Sequence, residues 1–303
     1  MSLAPSVAVP RSTFNWLPLL IALFCLLWSF AFVAGKTAVT YCPPLILLTA
    51  RFLLAGILIL AISALRGERW PLTLRDTLVF ALIGVANNSL FLGLGYTGLQ
   101  SVSAGLGGLI VSANPVFTAV LAALLLNEQL TWRKIAGLLL GVIGVGLIVW
   151  HRLSVGTDSA HGILFSLASL ASIVAGTILF KLLAPKGSLW VGNGVQNLAA
   201  GIVLIPFAVT LADIGDVVPN LQLLGSFAFL TLGGSVLAYI LWFHLLRVCG
   251  ATAASAYHFL MPPLGMLFAF LVLGEHVEAR DLLGIIPVAL GIYLVTRSGR
   301  AAA

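Results

Sequence analysis

The side chains able to do chemistry in this chain are mostly neutral and aromatic, and they sit inside long apolar runs. Trp28 and Phe32 stand one helical turn apart, and Asn88 and Tyr96 are eight residues apart, on one face of a helix. Ser235, Tyr239 and Trp242 follow an i, i+4, i+7 pattern, Ser112 and Asn114 precede Pro115, and Tyr257 and His258 precede Pro262. Singly, such a Tyr or Trp reads as an interface anchor or a packing residue. Together, mid-run, they suit a concave site that grips an amphipathic small molecule with aromatic faces and a few amides and hydroxyls. Pro115 and Pro262 each remove a backbone donor and free a carbonyl, so they are expected to act as hinges beside that site. His258 has an ordinary pKa near neutrality, and a hydrogen-bonded packing role is favoured over a proton relay.

Charge is almost absent from the runs. All nine acidic residues fall in connections or at run ends, which argues against proton-coupled export of cations through a buried carboxylate. Arg51 is the one basic residue well inside a run. It could meet a substrate carboxylate, but a guanidinium that snorkels, or that bonds carbonyls at a helix end, is the favoured reading. Lys36 and Lys181 close their runs and read as anchors. Cys25, Cys42 and Cys249 have neither metal-ligand nor disulfide spacing, and no metal or cofactor is expected.

The elements that hold these residues follow from composition. The chain is 61% hydrophobic and 8% charged, whereas soluble domains carry about 25% charged residues. A helix needs about 20 apolar residues to cross the hydrocarbon core. In lipid, backbone groups must be paired internally, which leaves helices or closed barrels, and the runs lack the alternation of barrel strands. The predicted spans are 16–35, 45–65, 78–98, 102–126, 135–150, 162–183, 189–211, 221–245, 252–273 and 282–297. The first run is longer than a signal-peptide core and no A-x-A site follows it, so cleavage is not expected.

The net charge of +6 does not point to nucleic acid, because the basic residues cap spans instead of forming a patch. One side collects Arg11, Arg66, Arg69, Arg75, Arg133, Lys134, Lys181, Lys186, Arg247, Arg297 and Arg300, and the other only Lys36, Arg152 and Arg280. That bias predicts both termini on the cytoplasmic side.

An internal repeat organises the chain. At an offset of 147, Leu126, Glu128, Arg133, Pro115, Gly137 and Gly144 meet Leu273, Glu275, Arg280, Pro262, Gly284 and Gly291. At 145, Lys36, Arg51 and Gly56 meet Lys181, Gln196 and Gly201. Five spans per copy is an odd number, so the second copy enters the membrane inverted, the plan of many secondary transporters with a midplane site. The expected fold is therefore an all-α integral membrane protein, ten transmembrane helices as two inverted five-helix repeats around a central cavity. Its parts are a flexible cytoplasmic tail at 1–15, repeats at 16–150 and 162–297, a connecting loop at 151–161 and a cytoplasmic tail at 298–303.

Trp28-Ser29 with Lys36, Arg51-Phe52, Pro115, and the Leu126-Asn127-Glu128-Gln129 turn echoed at Leu273-Gly274-Glu275 carry a family resemblance. The chain resembles the drug/metabolite transporter superfamily, in its ten-helix EamA-type branch, over nearly all of 16–297. The resemblance implies that spans 1–4 and 6–9 surround the cavity with spans 5 and 10 to the side. It also implies that amino-acid and metabolite exporters, including exporters of aromatic amino acids, are the nearest functional match. The expected activity is inner-membrane export of a neutral or zwitterionic metabolite by alternating access, without catalysis. The expected partners are a small-molecule substrate and the lipid bilayer, with no nucleic acid, and the protein is expected as a monomer or weak dimer. An exchanger of sugar phosphates would want several cavity cations. A lipid enzyme would want a reactive cluster, for which only His151, Arg152, Asp158 and His161 offer themselves. A channel would want a ring of carbonyls or like charges.

Overall fold

A computed structural model describes residues 16–67, 70, 72–98, 100–101, 110–111, 113–150, 159–273 and 285–297. The expectations for the two tails, for His151, Arg152 and Asp158, for Ser112 and for the Glu275 turn fall outside these residues. The described chain is helical without strands. Its segments are α1 (Leu17–Val39), α2 (Pro44–Leu65), α3 (Leu74–Gly98), α4 (Asn114–Leu125), α5 (Trp132–Trp150) and α6 (Ala160–Leu183). They continue as α7 (Leu189–Leu211), α8 (Leu221–Cys249), α9 (Ala251–Ala256, Tyr257–Leu260 and Met261–Leu273 in succession) and α10 (Ile285–Arg297). Seven of these are long and apolar enough to cross a membrane, and α4 is a shorter apolar helix.

Local chemistry fixes the helix ends. Thr73, Ser159, Ser188 and Asn220 cap α3, α6, α7 and α8 by accepting from a backbone N–H three residues on. Pro43 and Pro44 open α2, where a missing N–H costs no helical bond. Between α8 and α9 stands Gly250 at φ 83°, a conformation that a side chain would resist. Every helix except α9's first turns also shows large apolar side chains outward. Ile57, Leu78, Leu139, Leu164, Ile202 and Ile286 are each more than half exposed, which only a hydrocarbon solvent tolerates at this density.

Helix pairing shows the inverted repeat directly. α2 packs on α7 and α5 on α10. α3 packs on α6 and α7, as α8 does on α1 and α2, while α4 meets α6 as α9 meets α1. Advancing each helix by five exchanges one contact for its counterpart, which is a two-fold relation. It holds at atomic detail between α2 and α7. A Cβ on Gly56 would come within 2.6 Å of Leu198 Cγ and 2.8 Å of its backbone N. A Cβ on Gly201 would come within 2.7 Å of Leu53 Cγ and 3.0 Å of its N. Gly56 and Gly201, and likewise Leu53 and Leu198, are repeat partners at the same offset of 145. To the side, α5 and α10 close up through Gly137 and Gly291, where a Cβ on either would strike the other's carbonyl oxygen at 2.6 or 2.5 Å.

The two ends of the bundle differ. At the end holding the turns after α2, α4, α6 and α8, ionised groups lace the helices together. The Glu128 carboxylate accepts from the N–H groups of Ala251 (2.9 Å) and Thr252 (3.3 Å) and from the Thr252 hydroxyl (2.6 Å). Asp76 accepts from the Lys186 N–H at 3.0 Å, Arg75 donates to the Leu183 carbonyl at 2.9 Å, and Lys181 donates to that of Leu246 at 3.1 Å. At the opposite end, among the described residues, the Val218 N–H donates to the Tyr41 carbonyl at 2.8 Å.

The symmetric glycine contact makes a quantitative expectation. Leucine at Gly56 or Gly201 overpacks the α2–α7 crossing, at about 1–3 kcal/mol each, and the two variants should lose similar amounts of thermal stability in detergent. Alanine at the lipid-facing neighbours Ile57 and Ile202, 55% and 57% exposed, should change little. Unfolding scans of the four purified variants check this, and a large difference between the two glycine variants would contradict a shared contact.

Candidate functional site

Span geometry departs from plain α-helix in repeat-related places. Val85–Leu90 in α3 and Leu230–Ala238 in α8 are π-helical, and their first residues stand 145 apart. Such segments admit an extra residue per turn and recur at functional sites. Pro115 and Pro262 are each the second residue of a helical segment that follows an irregular stretch, a turn at Ala113 and a 3-10 turn at Tyr257–Leu260. The prolines thus stand in the first turn after a break.

Between α1, α2, α3 and α8 lies a cavity lined by Trp28, Ala31, Phe32, Arg51, Phe91, Leu92, Tyr96, Gly234, Ala238 and Tyr239. It is a narrow, partly open cleft with about 50 Å³ of interior room. Trp28 and Tyr239, with ring centres 5.2 Å apart, form its floor. Beneath them Phe24 stacks on Trp242 at 5.7 Å, and His258 stands edge-on to Trp242 at 4.7 Å and to Trp28 at 5.5 Å. This aromatic plug fills the bundle towards the Glu128 end. Phe32, 41% exposed, and Tyr96 lie towards the other ends of α1 and α3.

Of the residues singled out from sequence, Trp28, Phe32, Tyr96 and Tyr239 line this cavity. Trp242 and His258 lie in the plug below it. His258 is 2% exposed and holds the Ser255 carbonyl through Nδ1 at 3.1 Å. Tyr257, 8% exposed, accompanies it in the 3-10 turn. Asn88 and Asn114 are fully buried outside the lining, and Asn114 accepts from the Thr118 hydroxyl at 2.9 Å. Ser112 lies outside the described residues.

Arg51, for which the sequence favours a snorkelling or carbonyl-bonded role over contact with a substrate carboxylate, also lines the cavity. It is 3% exposed, so it does not snorkel, and it bonds no helix-end carbonyl among the described contacts. Its Nε donates to Ser235 Oγ at 2.8 Å, and its guanidinium carbon stands 5.4 Å from the Phe52 ring centre. Gly234 makes room for it, since a Cβ there would come within 2.7 Å of Nη2. The lining therefore carries one cation beside its aromatic and small residues. The available signal was Gly233-Gly234-Ser235 in span 8, small residues opposite the one intramembrane cation.

The π segments are secured by side chains from neighbouring helices. Asn193 donates to the Ser235 and Val236 carbonyls at 2.9 and 3.1 Å, and Asn197 to that of Ser235 at 3.3 Å. In the other half, Tyr239 donates to the Asn87 carbonyl at 2.7 Å and Ser169 to that of Phe91 at 2.6 Å. Among the described residues no group of three or more His, Cys, Asp or Glu could hold a metal ion.

Comparison with known proteins agrees with this architecture. The sequence model of the EamA-like transporter family matches residues 15–150 and 160–297. An uncharacterized transporter of Synechocystis is 28% identical over 288 residues, covering 89% of this chain and 87% of that protein. The uncharacterized inner membrane transporter YedA of Escherichia coli K12 is 28% identical over 287 residues, covering 92% and 91%. One solved crystal structure, 17% identical, shares the fold with a TM-score of 0.78 over 94% of this chain and 98% of its own. With the family's sequence pattern matched across both halves of a multi-pass helical bundle, the chain belongs to the EamA-like transporter family.

Proposed function

We propose that this membrane transporter exports small neutral or zwitterionic metabolites, aromatic amino acids among them, across the inner membrane by alternating access. The observation that carries the reading is the cavity between the halves, stopped towards the Glu128 end by an aromatic plug. Inverted repeats supply the second state, because exchanging the roles of the halves gives a cavity open to the opposite side. The breaks before Pro115 and Pro262 are the natural hinges. With the termini cytoplasmic, a placement the distribution of basic residues supports, the plugged end is the cytoplasmic one. The fourth and ninth helices carry the clamp between Glu128 and Thr252, which belongs to the closed cytoplasmic end. An exchanger of sugar phosphates is disfavoured, because Arg51 is the one cation among the cavity's lining residues.

Orientation is tested by single cysteines at Gln129 and Asp213, both exposed, in a chain whose three native cysteines are replaced. A membrane-impermeant maleimide added to intact cells should label Asp213→Cys and spare Gln129→Cys. Labelling of both, or of Gln129→Cys alone, overturns the assignment of sides.

The site is tested by alanine at Trp28, Tyr96 and Tyr239 against alanine at lipid-facing Leu139 and Ile286. Counterflow of labelled aromatic amino acids in proteoliposomes should fall about tenfold or more for the first set, as loss of a buried aromatic contact implies, and under twofold for the second. Equal losses at matched reconstitution would make these side chains packing residues only.

A further inference from the structure

Arg51 sets a problem of charge that the protein does not solve by itself. A guanidinium in the membrane interior needs a partner of opposite charge or a full set of acceptors. No acidic residue among the described residues pairs with it. Asp76, the one acid within the described α1–α10, lies in the first turn of α3 at the clamped end, where Thr73, Arg75 and the Lys186 N–H engage it. What the protein supplies to Arg51 is neutral, namely the Ser235 hydroxyl on Nε, the adjacent Phe52 face and the neighbouring Tyr96 hydroxyl. The Ser235 bond fixes the fork through Nε and leaves its two terminal nitrogens unused by that contact. Nη2 lies against Gly234, itself part of the cavity lining. The repeat makes the arrangement one-sided. Gln196 occupies the matching place in α7 and lies against Gly84 of α3, with no cation there.

We infer that Arg51 is the anchor for a carboxylate on the substrate, with the Tyr96 hydroxyl as a second donor and Trp28, Phe91 and Tyr239 as the seat of an apolar body. A planar fork matches a carboxylate through paired N–H bonds, which a lysine could not reproduce. The cavity lining holds no carboxylate to receive an ammonium group. The substrates are accordingly amphipathic carboxylates, for which the acid is required and an α-amino group is not. This rests on the cavity being the transport site, and it narrows the zwitterionic class to its anionic half.

The test uses the full-length protein in detergent with four probes that share one ring. These are L-phenylalanine, 3-phenylpropionate, phenylalaninamide and 2-phenylethylamine, each titrated against the thermal unfolding midpoint. The two carboxylates should raise the midpoint of the wild type, and the amide and the amine should not. Arg51→Gln should weaken both carboxylates by about tenfold or more, as loss of a charge-assisted bond implies, and Arg51→Lys should fall between. If Arg51→Gln does not fold, the wild-type probe series and Arg51→Lys decide alone. Carboxylate binding that is undiminished in folded Arg51→Gln, or in Arg51→Lys where that variant must decide, overturns the anchor and leaves the cavity reading standing. Amide or amine binding as tight as that of the acids overturns the carboxylate class. No response of the wild type to any probe overturns the amphipathic-substrate reading as well.

Discussion

Hydrocarbon offers no hydrogen-bond partner to a peptide group, and every irregularity in this bundle is arranged around that fact. A plain α-helix satisfies its own backbone and can face lipid anywhere. A π segment cannot, and carbonyls of both π segments here are met by side chains of neighbouring helices. The carbonyls of Ser235 and Val236 receive Asn193 and Asn197, and those of Asn87 and Phe91 receive Tyr239 and Ser169. These bonds all cross from one helix to another. The groups that repair irregular backbone are therefore also the groups that tie neighbouring helices together around the cavity.

The scaffold is close to symmetric and its chemistry is not. Gly56 and Gly201 meet each other's helix in the same way, yet a little over one turn away the repeat partners Arg51 and Gln196 differ in charge and in what they touch. Asn193 and Asn197 of α7 correspond, at the same offset, to the apolar Leu48 and Phe52 of α2. Duplication explains the two-fold frame and the capacity for two related states. Departures from it explain why a ligand meets one polar corner and one aromatic floor instead of two equivalent half-sites.

Much of the frame was legible in the sequence because it is written in residue types that few other roles explain. Charge at span ends gave the ten helices, and glycine and proline pairs in constant register gave the repeat. Of the aromatic pattern, Trp28, Phe32, Tyr96 and Tyr239 reach the cavity lining. Trp242 shares a helix face with Tyr239 but lies a turn deeper, and helical periodicity alone does not tell lining from plug. The π segments were hidden because a sequence read at 3.6 residues per turn carries no mark for one extra residue. Arg51 was misplaced for a related reason. Distance along a helix suggested an escape to the surface, whereas the space that receives it is made by Gly234 on a distant helix.

The π segment of α8 has a consequence for biogenesis. Its carbonyls at Ser235 and Val236 are met by asparagines of α7, so a newly inserted α8 that has not yet met α7 holds nothing to meet them. In that lone state the regular α-helix is the lower-energy form, since it leaves fewer peptide groups facing lipid. The widened turn is thus a product of assembly, acquired when α7 and α8 dock. Gly234 and Ser235 sit in that same turn, so the seat of Arg51 comes into being at docking too, and the chain completes its polar corner only once its second half has folded.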